Sequence, residues 1–130
     1  MSHDPKEKPV AHDGPLPLVM NRETADAYYW GDGRCQAWRL LEGQDLTVVE
    51  EIMPPGTSEH RHSHTFSRQF FYVLEGEAEM DVAERTHSLS VGDGVMVAPK
   101  QAHCIRNVSA ADVRFLVISA PRAAGDRTPR

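Results

Sequence analysis

Three histidines alternate along the segment GTSEHRHSHTFSRQFFYVLEG, residues 56–76, at positions 60, 62 and 64. In an extended chain, side chains two positions apart project from the same face about 6–7 Å apart. Two imidazoles so placed can converge on one metal ion, but a stable site needs further ligands from neighbouring strands. His103 is the candidate downstream. The alternative is a solvated histidine-rich loop that binds metal adventitiously.

The elements that would position these histidines are short strands. Eight segments are rich in β-branched and aromatic residues and are separated by turn-forming pairs such as Pro55-Gly56 and Gly92-Asp93. They are residues 35–42, 46–53, 69–75, 78–82, 85–90, 94–98, 103–108 and 113–119. Short strands at this spacing predict an all-β fold, a sandwich or barrel of antiparallel strands.

The two ends of the chain differ from this central region. Residues 1–17 are rich in proline and charge, which predicts a flexible N-terminal arm, either disordered or packed on a neighbouring subunit. Residues 21–31, NRETADAYYWG, have helical character and predict one or two helical turns. We expect the barrel domain to span residues 18–120 and a C-terminal tail, residues 121–130, to lie over its surface.

Composition narrows the class of protein. The chain has 130 residues, a formal net charge of −5 and no cluster of Lys and Arg before its last residues, so nucleic acid is not an expected partner. Two cysteines are too few for a disulfide framework in a chain of this length. No apolar run is long enough for a signal peptide or a membrane-spanning helix. We therefore expect a cytoplasmic protein without a membrane partner.

Two spacings resemble the signature motifs of the cupin superfamily. The first is Gly56, five residues, His62, one residue, His64, four residues, Gln69, six residues and Gly76. It departs from the family pattern at Gln69, where glutamate is usual. The second runs from Gly92 through Ala98, Pro99 and Lys100 to His103 and Asn107, with Ala98 and Lys100 in place of the usual proline and glycine. The chain is similar to small single-domain cupins.

This resemblance implies a double-stranded β-helix, the jelly-roll cupin barrel, with one divalent metal ion inside and a homodimer built through outer strand faces. The implied ligands are His62, His64, Gln69 and His103, and the N/O donor set suits Fe, Mn, Ni or Zn. Gln69 could instead be an ordinary polar residue of the barrel lining. His60 would lie at the barrel mouth, either solvated or as a proton shuttle.

Alternation along the strands predicts the lining of the pocket. If Gln69 points inward, so do Phe71 and Val73, and Ile105 shares the face of His103. The opposite row, Phe70, Tyr72 and Leu74, would pack on a second sheet or form a dimer interface. One of Glu50 and Glu51 must also face inward, as a base, as a partner of a ligand or simply solvated.

The glutamine also affects the charge of the site. Three imidazoles and a neutral amide leave a divalent ion at +2, which favours an anionic or chelating organic molecule as substrate or ligand. The site resembles that of cupins that use a metal to activate a chelating substrate or dioxygen, which implies a metal-dependent oxygenase, isomerase or lyase. The alternatives are a non-catalytic sensor of a small molecule or metal, and a structural protein that has lost its metal.

Overall fold

The computed structural model describes residues 18–130, and within them every regular element is a β-strand. These residues form no helix long and apolar enough to cross a membrane. The eleven strands of this part of the chain are β1 Asp26–Trp30, β2 Cys35–Glu42, β3 Thr47–Met53, β4 His62–His64, β5 Arg68–Glu75, β6 Ala78–Val82, β7 Arg85–Leu89, β8 Gly94–Val97, β9 His103–Arg106, β10 Val113–Ala120 and β11 Arg127–Pro129. The predicted all-β fold is confirmed.

The strands form two antiparallel sheets. One has the order β1-β2-β3-β10-β5-β8 and the other β11-β4-β9-β6-β7. Strand β10 lies between β3 and β5, and β9 lies between β4 and β6, so neighbours in space are distant in sequence. This interleaving is characteristic of a jelly roll. It also brings His62 on β4 directly opposite His103 on β9.

The core lies between the sheets and follows the period-two alternation of the strands. On β5, Gln69, Phe71 and Val73 are buried, while Phe70 and Tyr72 are 39% and 36% exposed. The inward row predicted for β5 is therefore confirmed. The largest fully buried apolar side chains are Phe115, Met53, Met80, Ile105, Val73, Val97 and Val113.

The helical turns predicted for residues 21–31 are wrong beyond the first turn. Asn21 closes a single turn, in which the amides of Glu23 and Thr24 donate to its side-chain oxygen. The chain then extends as β1, which pairs with β2 from Asp26 opposite Arg39 to Trp30 opposite Cys35. Aromatic residues favour a pleated surface, and pairing with β2 outweighs the weak helix propensity of the preceding alanines.

The two predicted terminal segments have different outcomes. The proposed arm, residues 1–17, lies outside the described residues. Within the proposed tail, β11 pairs with β4 from Arg127 opposite His64 to Pro129 opposite His62. The Asp126 carboxylate accepts hydrogen bonds from the amides of three consecutive residues, 65 to 67, each at 2.9 Å. The tail therefore supports the strand that carries two of the histidines.

Candidate metal centre

The three histidines of the motifs come together between the sheets. His62 and His64 leave the same face of β4, and His103 begins β9 beside them. Their ring centroids are 5.0 Å apart for His62 and His64, 4.3 Å for His62 and His103, and 5.6 Å for His64 and His103. One ring nitrogen of each lies within 4.8 Å of the others, so the three histidines could hold a metal ion.

Backbone carbonyls orient two of these rings. His62 Nδ1 lies 2.8 Å from the carbonyl oxygen of His60, and His103 Nδ1 lies 3.0 Å from that of Gln101. A neutral imidazole that donates from Nδ1 keeps the Nε2 lone pair for a metal, which is the usual arrangement around a ligating histidine.

Gln69 is oriented by the neighbouring strand. Its Nε2 donates to the hydroxyl oxygen of Ser119 at 3.0 Å, and the two residues are register partners on β5 and β10. Its Oε1 is buried and has no hydrogen-bond partner among residues 18–130. A buried carbonyl oxygen without a partner costs free energy unless a further group binds it.

The donor atoms of this site fit a divalent metal ion. His64 Nδ1 and His103 Nε2 are also buried without a hydrogen-bond partner in the described chain, so three such atoms, with Gln69 Oε1, belong to this cluster. Burial lowers the pKa of His62 to about 4 and lowers the pKa values of His64 and His103. The imidazoles are therefore neutral at pH 7, which is the form that binds metal.

The cluster opens into a cavity of about 370 Å³. Part of its wall is apolar, supplied by Leu41, Val49, Phe71 and Val117. A cavity of this volume with an apolar wall and a few polar groups is typical of a site for a small organic molecule.

Charged side chains also line the cavity. The arginines are Arg39, Arg122 and Arg127, and the glutamates are Glu42, Glu51 and Glu59. The Arg39 guanidinium lies 4.1 Å from the centre of the Tyr28 ring, which holds it at the cavity edge.

Two of these glutamates, Glu51 and Glu59, have raised pKa values. Burial raises the pKa of Glu51 to about 7 and, together with the negative charge of Glu51, raises the pKa of Glu59 to about 8. Glu51 is the inward member of the pair considered from the sequence, whereas Glu50 binds Arg22. Glu59 was missed because it precedes β4 in a segment without strand alternation.

The other pocket residues expected from the sequence have separate locations. Phe71 lines the cavity. Val73 and Ile105 lie deeper, in the hydrophobic core cluster. His60 is exposed and lines a neighbouring surface depression with Arg34. The pocket roles of these four residues stay predictions. So do the metal-ligand roles of His62, His64, Gln69 and His103. The arginines were also missed, and Arg127 reaches the cavity through the pairing of β11 with β4.

Comparison with known families agrees with this geometry. The family model described as cupin domain matches residues 49–119, more than half of the chain. The chain belongs to the cupin family. The family predicted from the two motif spacings, and with it the double-stranded β-helix, is confirmed.

Three individual proteins that resemble this chain share at most about a third of its residues over the matched segments. An uncharacterized protein of Methanocaldococcus jannaschii is 28% identical over 82 residues, 63% of this chain and 66% of that protein. The polyketide synthase CurC of Streptomyces cyaneus is 35% identical over 72 residues, 55% of this chain and 47% of that protein. The chain thus matches about half to two thirds of these relatives. The structure of KdgF from a Halomonas species, 19% identical, superposes with a TM-score of 0.75 over 83% of this chain and 96% of that chain, which shows a shared fold.

Proposed function

We propose that this cupin is a metal-dependent enzyme that binds one divalent ion and acts on a small anionic, chelating organic molecule. The ion would be held by His62, His64, His103 and Gln69. The observation that carries the proposal is the convergence of buried, unpaired donor atoms from this set beside an open cavity. Such atoms are costly in a folded protein unless a ligand satisfies them.

The charge of the site supports an anionic substrate. The amide of Gln69 contributes no charge, so a bound divalent ion would stay at +2. Arg122 and Arg127 add positive charge to the wall, whereas Arg39 is paired with Glu42. When bound, the metal supplies Lewis-acid polarisation of a substrate oxygen. The arginines would orient a carboxylate or enolate, and Phe71 and Val117 would cover its carbon skeleton. The relative named as a polyketide synthase supports an organic substrate.

Metal content is the direct test. Untagged protein, purified without chelator or nickel resin, is analysed for Fe, Mn, Ni and Zn. We expect about one metal ion per chain in the wild type and a loss of at least tenfold in His103→Ala, because two histidines from one strand do not hold a metal stably. His60→Ala is the matched control and should keep its metal, since the His60 side chain is exposed. Metal-free wild-type protein would contradict the proposal.

The assignment of Gln69 needs a separate variant. Gln69→Glu restores the carboxylate usual in the family and lowers the charge of a loaded site by one unit. It should retain metal more strongly and bind oxalate, a chelating dianion, more weakly than the wild type. Unchanged metal content and oxalate affinity in both Gln69→Glu and Gln69→Ala would exclude Gln69 as a ligand.

A non-catalytic binding protein is the competing function, because a cavity of this size would bind a small molecule with or without turnover. The two functions differ in one measurement. Both predict that a ligand raises the melting temperature of the metal-loaded protein. Only an enzyme converts that ligand, which NMR of the ligand after incubation detects.

The outer face of the six-stranded sheet supports a homodimer. Phe70, Tyr72 and Met96 are exposed there, the first two rings stack at 6.3 Å, and Phe70 pairs with Met96 across β5 and β8. Adjacent exposed apolar side chains of this size mark an interaction surface. Met96→Lys should convert a dimer to a monomer in analytical ultracentrifugation, and a monomeric wild type would contradict the proposal. The cytoplasmic location expected from the sequence stays a prediction.

A further inference from the structure

Two carboxyl groups face the cavity from opposite sheets and have no part in the metal site. Glu51 comes from β3 of the six-stranded sheet, and Glu59 lies three residues before β4 of the other sheet. Both line the cavity that holds His62 and His64. Neither forms a salt bridge with any residue of the described chain, 18–130.

Glu59 has a defined orientation. Its backbone N–H donates to the carbonyl oxygen of Ile105 at 3.0 Å, and its Oε1 accepts a hydrogen bond from the Ile105 amide at 3.2 Å. This double contact ties the segment before β4 to β9. Glu59 also lines the cavity.

The two carboxyls interact electrically, since the charge of Glu51 disfavours ionisation of Glu59. Two carboxylates that share a site of low dielectric cannot both ionise easily, so the two protons leave such a pair in separate steps. With pKa values of about 7 and about 8, the pair holds one proton between about pH 7 and pH 8.

The surrounding groups do not neutralise the pair. The charged and titratable residues that line the same cavity are Tyr28 on β1, Arg39 and Glu42 on β2, His62 and His64 on β4, and Arg122 and Arg127 beyond β10. Arg39 binds Glu42 at 3.4 Å, and burial raises the pKa of Tyr28, which keeps it neutral. Arg127 lowers the pKa of both glutamates, but less than burial raises them.

We propose that Glu51 and Glu59 are the acid–base pair of this cupin and that its reaction is a proton-transfer isomerisation or elimination of a bound organic anion. This inference rests on the proposed function and narrows its reaction class. A pair that holds one proton contains one base and one acid at the same time, which is what a proton shift requires.

The reaction balances without an oxidant. The ionised carboxylate takes a proton from the carbon next to the substrate carbonyl, and the C–H electron pair moves to the carbonyl oxygen as an enolate. The protonated carboxyl then gives its proton to another carbon in an isomerisation, or to a departing hydroxyl group, which leaves as water, in an elimination. The pair ends with one proton, as it began, and only the carboxyl that carries it has changed.

The first test measures the protonation of the pair directly. Zinc-loaded protein labelled with ¹³C at the glutamate carboxyl carbon is titrated by NMR. Wild type should show a carboxyl that titrates above pH 6, at least about 1.5 units above an ordinary glutamate. In Glu51→Gln, loss of the neighbouring charge should move the Glu59 titration to lower pH. Glu59→Gln keeps the oxygen that accepts from Ile105, so it tests charge without removing that bond. Glu50→Gln, on the opposite face of β3, should leave the titration unchanged.

The second test measures proton transfer. Pyruvate, a chelating anion with acidic C–H bonds beside a carbonyl, is incubated in D₂O with zinc-loaded protein, and deuterium exchange of its methyl group is followed by NMR. Wild type and Glu50→Gln should accelerate exchange, and Glu51→Gln and Glu59→Gln should be slower by at least about tenfold with unchanged zinc content. Equal exchange rates in all four, no exchange in the wild type, or titration of every carboxyl below pH 6 overturns the acid–base pair. Metal-free wild type instead overturns the proposed function.

Discussion

The two ends of the barrel interior are built by the same strands and have opposite chemistry. On β5 the inward row runs from Gln69 through Phe71 to Val73, and on β9 it runs from His103 to Ile105. One end therefore presents an amide and imidazoles, and the other presents a fully apolar core. The apolar end supplies stability through burial, whereas the polar end keeps unpaired donors that weaken the metal-free fold.

The largest effect should come from the apolar end. Phe115 on β10 is fully buried, and its ring lies 6.2 Å from that of Phe71. Phe115→Ala should lower the free energy of unfolding by about 3–5 kcal/mol, measured by urea denaturation, because it removes buried area and leaves a cavity. Leu116→Ala, a half-buried position on the same strand, is the control and should cost less. A folded Phe115→Ala that loses its metal would show that the two ends are not separable.

The polar end should add to the stability of the fold only when it binds a metal ion. Zinc at about one hundred times its dissociation constant should raise the free energy of unfolding of the wild type by about 2.7 kcal/mol. His103→Ala should gain nothing, while His60→Ala should respond like the wild type. Thermal unfolding in EDTA and in zinc gives the comparison. An equal zinc response in His103→Ala would mean that the ion binds elsewhere.

The difference between the ends also explains what could be predicted from the sequence. Strand alternation placed Gln69, Phe71 and Val73 on the inner face, and motif spacing identified the histidines that meet. Both are short-range patterns. Glu59 could not be found in this way, since its orientation depends on Ile105, 46 residues away in the chain.

The closure of the site is also a long-range feature. Asp126 binds the turn after β4 across some sixty residues, and Arg127 reaches the cavity because β11 pairs with that strand. Nothing local in the sequence of residues 121–130 predicts this pairing. Strand β1 is a different case, because its partner β2 follows only a few residues later in the chain and the two form a local hairpin.

The pH dependence of stability should separate the glutamates from the core. The folded-state pKa of Glu59 is raised to about 8, so the metal-free folded protein binds more protons than the unfolded chain between about pH 4.5 and 8. The contribution of Glu59 to the free energy of unfolding is therefore largest below about pH 4.5, and it is lost as the pH rises from there to about 8. The free energy of unfolding of Glu59→Gln should exceed that of the wild type by on the order of 2 kcal/mol at pH 8, with no such gain at pH 4. One unit of pKa shift corresponds to about 1.4 kcal/mol, and the partial exposure of Glu59 reduces the effect.

The control for this experiment is again Glu50→Gln, which removes a carboxylate that binds Arg22 and Arg114 on the outer face. The free energy of unfolding of Glu50→Gln should show no gain over the wild type at pH 8. The buried histidines act in the opposite direction, because their lowered pKa values make the metal-free fold less stable as pH falls below about 6.5. Comparison of each variant with the wild type at the same pH removes that contribution. A Glu59→Gln curve parallel to that of the wild type would contradict the raised pKa.

The smallest effect should come from the outer side of the strand that carries His103. Arg106 on β9 faces outward and donates to Asp81 at 2.7 Å and 3.0 Å and to Glu79 at 3.0 Å. These contacts hold the pKa of Asp81 at about 2, with Arg106 as the main cause. Even so, all three side chains are partly exposed to water, at 22–33%.

Arg106→Gln should therefore lower the free energy of unfolding by only about 1 kcal/mol or less, and added salt should reduce the difference further. Its zinc content should match the wild type, because β9 positions His103 through its backbone pairing with β4 and β6 and not through this surface network. Loss of zinc in Arg106→Gln would show instead that the outer face of β9 orients the ligand on its inner face.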